Sequence, residues 1–166
     1  MVRHVLAFDL DLTLVDHLGD INLSSSVSVK AGCIPHRRAC DRVRRLVEAG
    51  HEVHVISGRG QVLRNVTRRQ LTEWVHEDLS DAGRLHLQAY FTDYAAMRTW
   101  KAQVLRTIGA EIYVGDQEAD SLAADDAGIP FLHADRFRAG DDLLVLVGEK
   151  PETEALLRVP ARGRTS

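Results

Sequence analysis

Short apolar runs rich in Val and Ile alternate along the chain with longer stretches whose apolar residues recur at helical spacing. That alternation predicts a parallel sheet covered by helices. Five strands are expected, at 4–8 (HVLAF), 52–56 (EVHVI), 85–91 (LHLQAYF), 111–115 (EIYVG) and 129–134 (IPFLHA). Four helices are expected between them. The first spans 37–48 and buries Ala39, Val43, Leu46 and Val47, with Pro35 before it and Gly50 after it. The second spans 63–79 with Leu71, Trp74 and Val75 inward, and the third spans 94–108 with Met97, Val104, Leu105 and Ile108 inward, ending at Gly109. The fourth spans 118–127 and stops at Gly128-Ile129-Pro130. Residues 16–34 follow neither period, and Gly19-Asp20 and Ser24-Ser25-Ser26 mark them as a hairpin or flap. Beyond Ala134 the pattern fades: 141–147 and 152–156 read as strand or helix, and the final ARGRTS reads as a frayed tail. The expected layout is a core over 1–135 carrying the 16–34 insert, then an extension over 136–166 whose tail is partly disordered.

Length fits one domain, since 166 residues can bury a proper core but cannot supply two. The net charge of −3 argues against a general polyanion binder, so any basic surface must be local. Cys33 and Cys40 make no disulfide framework and have no zinc-ligand spacing, which suits a reducing compartment. Carboxylates ten residues into the chain exclude a signal peptide, and no apolar run has the roughly 20 residues of a membrane helix. A cytoplasmic protein with no membrane partner is expected. The sequence assigns no oligomeric state.

In an open α/β sheet, ligands bind beyond the carboxyl ends of the strands, so the residues just past each strand matter most. After the first strand comes Asp9-Leu10-Asp11-Leu12-Thr13, after the second Ser57-Gly58-Arg59-Gly60, and after the fourth Gly115-Asp116, with Asp120 one helical turn on. Lys101 on the third helix can join them. This is the inventory of a magnesium and phosphate site. Asp9 and Asp11 sit two apart, so on extended chain their side chains face one volume, and a divalent cation or a shared proton relieves their repulsion. Mg²⁺ favours one or two carboxylates with water and phosphate oxygens, and Asp116 adds a carboxylate from a neighbouring strand. A carboxylate can also attack phosphorus and form an aspartyl-phosphate, while a second acts as acid and base. Ser57 and the Gly58 amide offer donors to phosphoryl oxygens, and Lys101 offsets their charge.

FDLDLTLV, VISGR, Lys101 and GDQEAD, in that order, resemble the four motifs of the haloacid dehalogenase superfamily of phosphohydrolases, over Val5 to Asp120. The resemblance implies a three-layer Rossmann-like fold around a mainly parallel five-stranded sheet, with a short flap in place of a cap domain. It implies Mg²⁺ as cofactor, Asp9 as nucleophile and metal ligand, and Asp11 as acid and base with its carbonyl on the metal. Thr13 would hold the Asp11 loop or the phosphate, Ser57 would donate to the phosphate, and Lys101 would stabilise its charge. Asp116 would ligate the metal, and Asp120 would ligate it too or position the lysine. Leu12 departs from the family, which most often has Gly there.

Between His36 and Arg69, nine arginines face Asp41, Glu48 and Glu52, an excess of about six positive charges. Such a stripe is either a solvated helix surface or a binding surface for a nucleotide or nucleic-acid end. VISGRGQ followed by TRRQLTEWV also resembles the phosphatase half of phage polynucleotide kinase-phosphatases, which makes Arg59 a phosphate-contact candidate, although the chain has no kinase P-loop. The expected partner is therefore a phosphorylated small molecule, a nucleotide or a nucleic-acid end. Two other readings use the same residues: a receiver-like regulatory domain that is phosphorylated without turnover, and a metal-independent dehalogenase, against which Asp11 speaks. The histidines His51, His54 and His86 lack ligand spacing, and Trp74, Trp100 and the two cysteines read as core.

Overall fold

The computed structural model describes residues 1–88 and 93–149. A five-stranded parallel sheet runs through the centre in the order β5 (Leu85–Gln88), β4 (Glu52–Gly60), β1 (Val5–Phe8), β6 (Ile112–Gly115) and β7 (Phe131–His133). The first strand in the sequence is thus the central one, with β4 on one side (Leu6 opposite Val53) and β6 on the other (Leu6 opposite Ile112). Alternation along the strands sends successive residues to opposite faces. Leu6, Phe8, Val53, Val55, Ile112 and Val114 pack with Ala39 and Val43 of α2 (Arg37–Glu48) and Leu71 of α3 (Arg64–Trp74). Ala7, Ile56 and Tyr113 pack with Ala102 and Leu105 of α4 (Tyr94–Ile108) and Ala123 and Ala124 of α5 (Glu118–Asp126). The result is a three-layer, Rossmann-like α/β fold, and every strand pairing in its main sheet is parallel.

The segment after β1 forms a separate two-stranded antiparallel sheet, β2 (Val15–His17) with β3 (Cys33–Pro35), joined through the seven-residue helix α1 (Ser26–Gly32). Ser25 caps that helix by accepting from the Ser28 amide.

Several boundaries differ from the sequence expectation. The helix expected at 63–79 is three pieces: a 3₁₀ turn at Gln61–Leu63, α3, and a second 3₁₀ turn at Glu77–Ser80. The chain leaves helical geometry at Val75, and the His76 side chain caps the next turn by accepting from the Asp78 amide. Leu71 and Val75 are buried as expected, and Trp74 packs against the same core from a partly exposed position. β4 runs on to Gly60 because β5 continues to pair with it across an irregularity between Ser57 and Gly60. The last strand ends at His133, whose side chain accepts from the Asp135 amide and starts α6 (Ala134–Ala139), a helix that the periodicity did not reveal. Residues 141–147 hold a single 3₁₀ turn at Leu143–Val145. Phe137 and Leu143 belong to the main core, so the chain just past 135 packs on the sheet. The expected strand residues 89–91, the undecided 152–156 stretch and the ARGRTS tail lie outside the described residues. Among the described residues, no helix is long and apolar enough to cross a membrane.

The histidines on the sheet are satisfied among themselves. His54 Nδ1 lies 2.9 Å from His86 Nε2, and His54 Nε2 lies 2.9 Å from Glu52 Oε1. Burial pushes both imidazoles below their ordinary value of 6.5, His86 to about 4. An unfolded chain therefore binds more protons than the folded one between those values, and this contribution to stability is present above pH 6.5 and lost as the pH falls toward 4. The urea midpoint is expected to decline over that interval and to decline less steeply in His86→Gln. Equal slopes in the two proteins would show that the pair does not carry the effect.

Candidate functional site

The carboxyl ends of β1, β4 and β6 meet where the sequence placed its chemistry. Asp9 continues β1, with its amide donating to the Val114 carbonyl at 2.8 Å. The chain then turns sharply, and the Leu10 carbonyl accepts from the amides of Thr13, Leu14 and Val15. Leu12 sits at φ +60°, the one non-glycine residue with positive φ among those described. An L side chain in this conformation costs on the order of 1–2 kcal/mol, a cost that Gly would avoid.

Lys101, 3% exposed on α4, is the hub. Its Nζ donates to Asp9 Oδ1 at 3.1 Å and to Asp120 Oδ1 at 2.6 Å. Thr13 Oγ1 donates to the other Asp9 oxygen at 3.3 Å. Asp120 is fully engaged: the Tyr113 hydroxyl also donates to its Oδ1 at 3.1 Å, and the Gln117 amide donates to its Oδ2 at 3.2 Å. That last bond is half of a capping box at the start of α5, so one carboxylate both starts the helix and holds the lysine. The close approach needs Gly115, where a Cβ would come within 2.6–2.7 Å of the Asp120 side chain.

Asp9, Asp116 and Asp120 bring carboxylate oxygens within 4.8 Å of one another. Burial raises the Asp9 carboxyl well above its usual range; Lys101 opposes this, and the neighbouring carboxylates add to it. Burial likewise raises Asp116. Asp116 Oδ1 is buried and has no hydrogen-bond partner among the described residues. Three carboxyl groups share one ammonium here, and the unpartnered oxygen of Asp116 leaves an acceptor that a metal ion could use. The donors are hard oxygens of the kind that suits Mg²⁺. Asp9 and Asp116 have the most capacity to spare for an ion, while Asp120 already accepts three hydrogen bonds.

Asp11 is held from a different direction. Arg59 grips it with two parallel bonds, Nε to Oδ2 at 2.8 Å and Nη2 to Oδ1 at 2.7 Å, and His17 Nε2 lies 2.9 Å from Oδ1. Burial would raise the Asp11 carboxyl, but the Arg59 and His17 contacts outweigh it and hold it below its usual value. The Arg59 side chain is 0% exposed. Its remaining donors go to Thr67 Oγ1 at 3.0 Å, Gln70 Oε1 at 2.7 Å and Cys33 Sγ at 3.6 Å. The guanidinium is thus spent on the protein, which differs from the direct phosphate contact expected of it. It ties β4, α3 and the flap to Asp11.

Asp9, Asp11, Gly58, Arg59 and Lys101 line a cavity of about 190 Å³ with Leu23 of the flap, Tyr94 and Met97 of α4, and Gln117. Ser57 is buried, and its Oγ accepts from the Arg59 amide at 3.1 Å. The sequence pattern did not reveal His17, Tyr113, Thr67 and Gln70. Only the last two left a usable signal, a polar pair three residues apart on the buried face of an amphipathic helix. Of the nine arginines in the basic stripe, Arg59 alone lines this cavity. Arg68 and Arg69 line a larger one, about 610 Å³, on α3, and Arg37, Arg38, Arg42 and Arg45 line another, about 530 Å³. Neither larger cavity contains a residue of the carboxylate cluster.

No family model and no curated protein matches the chain. Among solved structures, a chain of the "Structure of Pnkp1/Rnl/Hen1 complex" is similar, with a TM-score of 0.62 and 18% identity over 80% of this chain and 45% of that one. The protein thus spans less than half of that relative, and at this identity the likeness is one of fold.

Two substitutions probe the framework. Gly115→Ala is expected to lower unfolding free energy by about 1–3 kcal/mol, because the added methyl displaces a buried carboxylate. Arg59→Met, which strands Asp11 without its partner, is expected to cost about 3–5 kcal/mol. Urea titration checks both, and a neutral Arg59→Met would show that the clamp contributes little.

Proposed function

We propose that the protein hydrolyses phosphate monoesters through an aspartyl-phosphate on Asp9, in the manner of the haloacid dehalogenase phosphohydrolases. The observation that carries this is the buried Lys101 shared by Asp9 and Asp120 beside the unpartnered oxygen of Asp116. Such a site spends much desolvation energy to keep a carboxylate and an ammonium together, which a purely structural cluster at this edge does not require.

In this reading Asp9, Asp116 and the main-chain carbonyl of Asp11 would hold Mg²⁺, which when bound would offset the charge of the carboxylates and the phosphoryl oxygens. Lys101 orients one Asp9 oxygen and Thr13 the other. An Asp9 oxygen attacks phosphorus, the bond to the leaving oxygen breaks, and the phosphoryl group is held as the acyl phosphate. The Gly58 amide and the Lys101 ammonium face the phosphoryl oxygens as they gain charge. Asp11, kept ionised by Arg59, takes a proton from the water that attacks the acyl phosphate, and Asp9 is regenerated as phosphate departs. To protonate the leaving oxygen in the first step, Asp11 must first gain a proton against the pull of Arg59. Arg59 is therefore read as a positioning residue for Asp11, and Asp120 as one for Lys101.

For the substrate we propose a nucleotide or a nucleic-acid end. The resemblance of VISGRGQ and TRRQLTEWV to polynucleotide kinase-phosphatases supports this, as do the arginines on α2 and α3 and the similarity of fold to a chain of the Pnkp1/Rnl/Hen1 complex.

Hydrolysis of para-nitrophenyl phosphate, mononucleotides and 3′- or 5′-phosphorylated oligonucleotides is expected to require Mg²⁺ and to stop with chelator. Asp9→Asn is expected to lower turnover by about 10³-fold or more while the fold is kept. An active, normally folded Asp9→Asn protein would overturn the nucleophile assignment. One-time phosphorylation of Asp9 without release of phosphate would favour a receiver-like switch.

A further inference from the structure

Arg138 lies on α6, outside the motifs, and reaches back 125 residues to the turn after β1. Its Nε donates to the Thr13 carbonyl at 2.9 Å, and its Nη2 makes an ion-pair contact of 2.9 Å with Asp16 Oδ1 at the root of the flap, off the hydrogen-bonding direction. Thr13 is fully buried, so water cannot satisfy its carbonyl, and among the described residues Arg138 is its hydrogen-bond donor. The neighbouring Leu14 carbonyl is separately satisfied by the His36 amide and Cys40 Sγ.

The platform under Arg138 is rigid. Phe137 packs on Phe8, the last residue of β1, with ring centroids 5.2 Å apart. Arg42 of α2 donates to the carbonyls of Phe137 and Asp141 and lies over the Phe137 ring at 4.3 Å. α6 is thereby fixed to the strand that carries Asp9 and to the helix beside it.

We infer that Arg138 is a positioning residue for the nucleophile, acting through the Leu12-Thr13 turn; the inference rests on the reading of Asp9 given above. The turn contains the one left-handed non-glycine residue described, so it needs external bonds to stay in place. Its Thr13 hydroxyl in turn holds Asp9 Oδ2. Arg138 closes the path from α6 to the carboxylate, with the flap root tied into the same guanidinium. Lysine, a compact point charge on a flexible stem, lacks the planar guanidinium that donates to the Thr13 carbonyl through one nitrogen and faces Asp16 with another.

The test compares Arg138→Gln and Arg138→Lys with Arg136→Gln, an exposed arginine on the same helix whose side chain, among the described residues, pairs only with Asp141. With Mg²⁺ and para-nitrophenyl phosphate, Arg138→Gln is expected to lower kcat by about tenfold or more with KM within about twofold, and Arg138→Lys to recover part of the loss. Arg136→Gln is expected to leave both constants unchanged. Hydrogen exchange at the amides of residues 12–15 is expected to quicken in Arg138→Gln while the sheet amides keep their protection. This second measurement needs no turnover. If the wild-type protein proves inactive, the reading of Asp9 fails, and exchange alone decides whether Arg138 holds the turn. A kcat within about twofold of wild type in an active protein, a loss that appears only as the protein unfolds, or unchanged exchange at the turn would each overturn the inference.

Discussion

Lys101 is the buried cation on which the geometry of the site depends. Its ammonium is taken out of water at the end of an apolar strand, and only the carboxylates of Asp9 and Asp120 make that tolerable. The requirement is reciprocal, since burial alone raises the Asp9 carboxyl and the lysine is the main force opposing it. Much of the local architecture serves the arrangement. Gly115 lets Asp120 approach, Tyr113 and the Gln117 amide hold it, and α5 begins on the same carboxylate. The cluster gathers three carboxylates around one ammonium, and their oxygens could hold a metal ion.

Asp9 and Asp11, two residues apart, are held in opposite electrostatic states. Asp9 faces other carboxylates and a single lysine, and its carboxyl is raised; Asp11 faces a buried guanidinium and an imidazole, and its carboxyl is lowered. These opposite states are set by what each side chain meets rather than by residue type. Arg59 sets the second state only because Thr67 and Gln70 of α3 and Cys33 of the flap take its other donors.

The turn that follows the two aspartates is strained at Leu12 and is stabilised from outside. Its carbonyls are taken up by groups far along the chain, His36 just before α2, Cys40 of α2 and Arg138 of α6. Strain at a functional loop persists where the surroundings over-determine it, and α2 and α6 supply that here.

The sequence alone determined the sheet and its edge. Val-rich runs separated by helical stripes have few alternatives to a parallel sheet, and right-handed crossovers then bring the carboxyl ends of β1, β4 and β6 together with the residues just beyond them. The places of Asp9, Asp11, Ser57, Arg59, Asp116 and Asp120 along that edge follow from this, and the limits of α2 and α4 follow from the helical spacing. What each polar group bonds to was decided by the tertiary structure. Arg59 read as a phosphate contact because a sequence shows only that an arginine is near a site, whereas in the fold its donors are taken by Asp11, Thr67, Gln70 and Cys33. Asp120 read either as a metal ligand or as the carboxylate that positions the lysine, and in the fold it accepts from Lys101. His17, Tyr113 and Arg138 left no local pattern, since a hydrogen bond across as many as 125 residues imposes no periodicity on the chain. The break at Val75 and the start of α6 at His133 likewise arise from side-chain caps that only the folded chain brings into register.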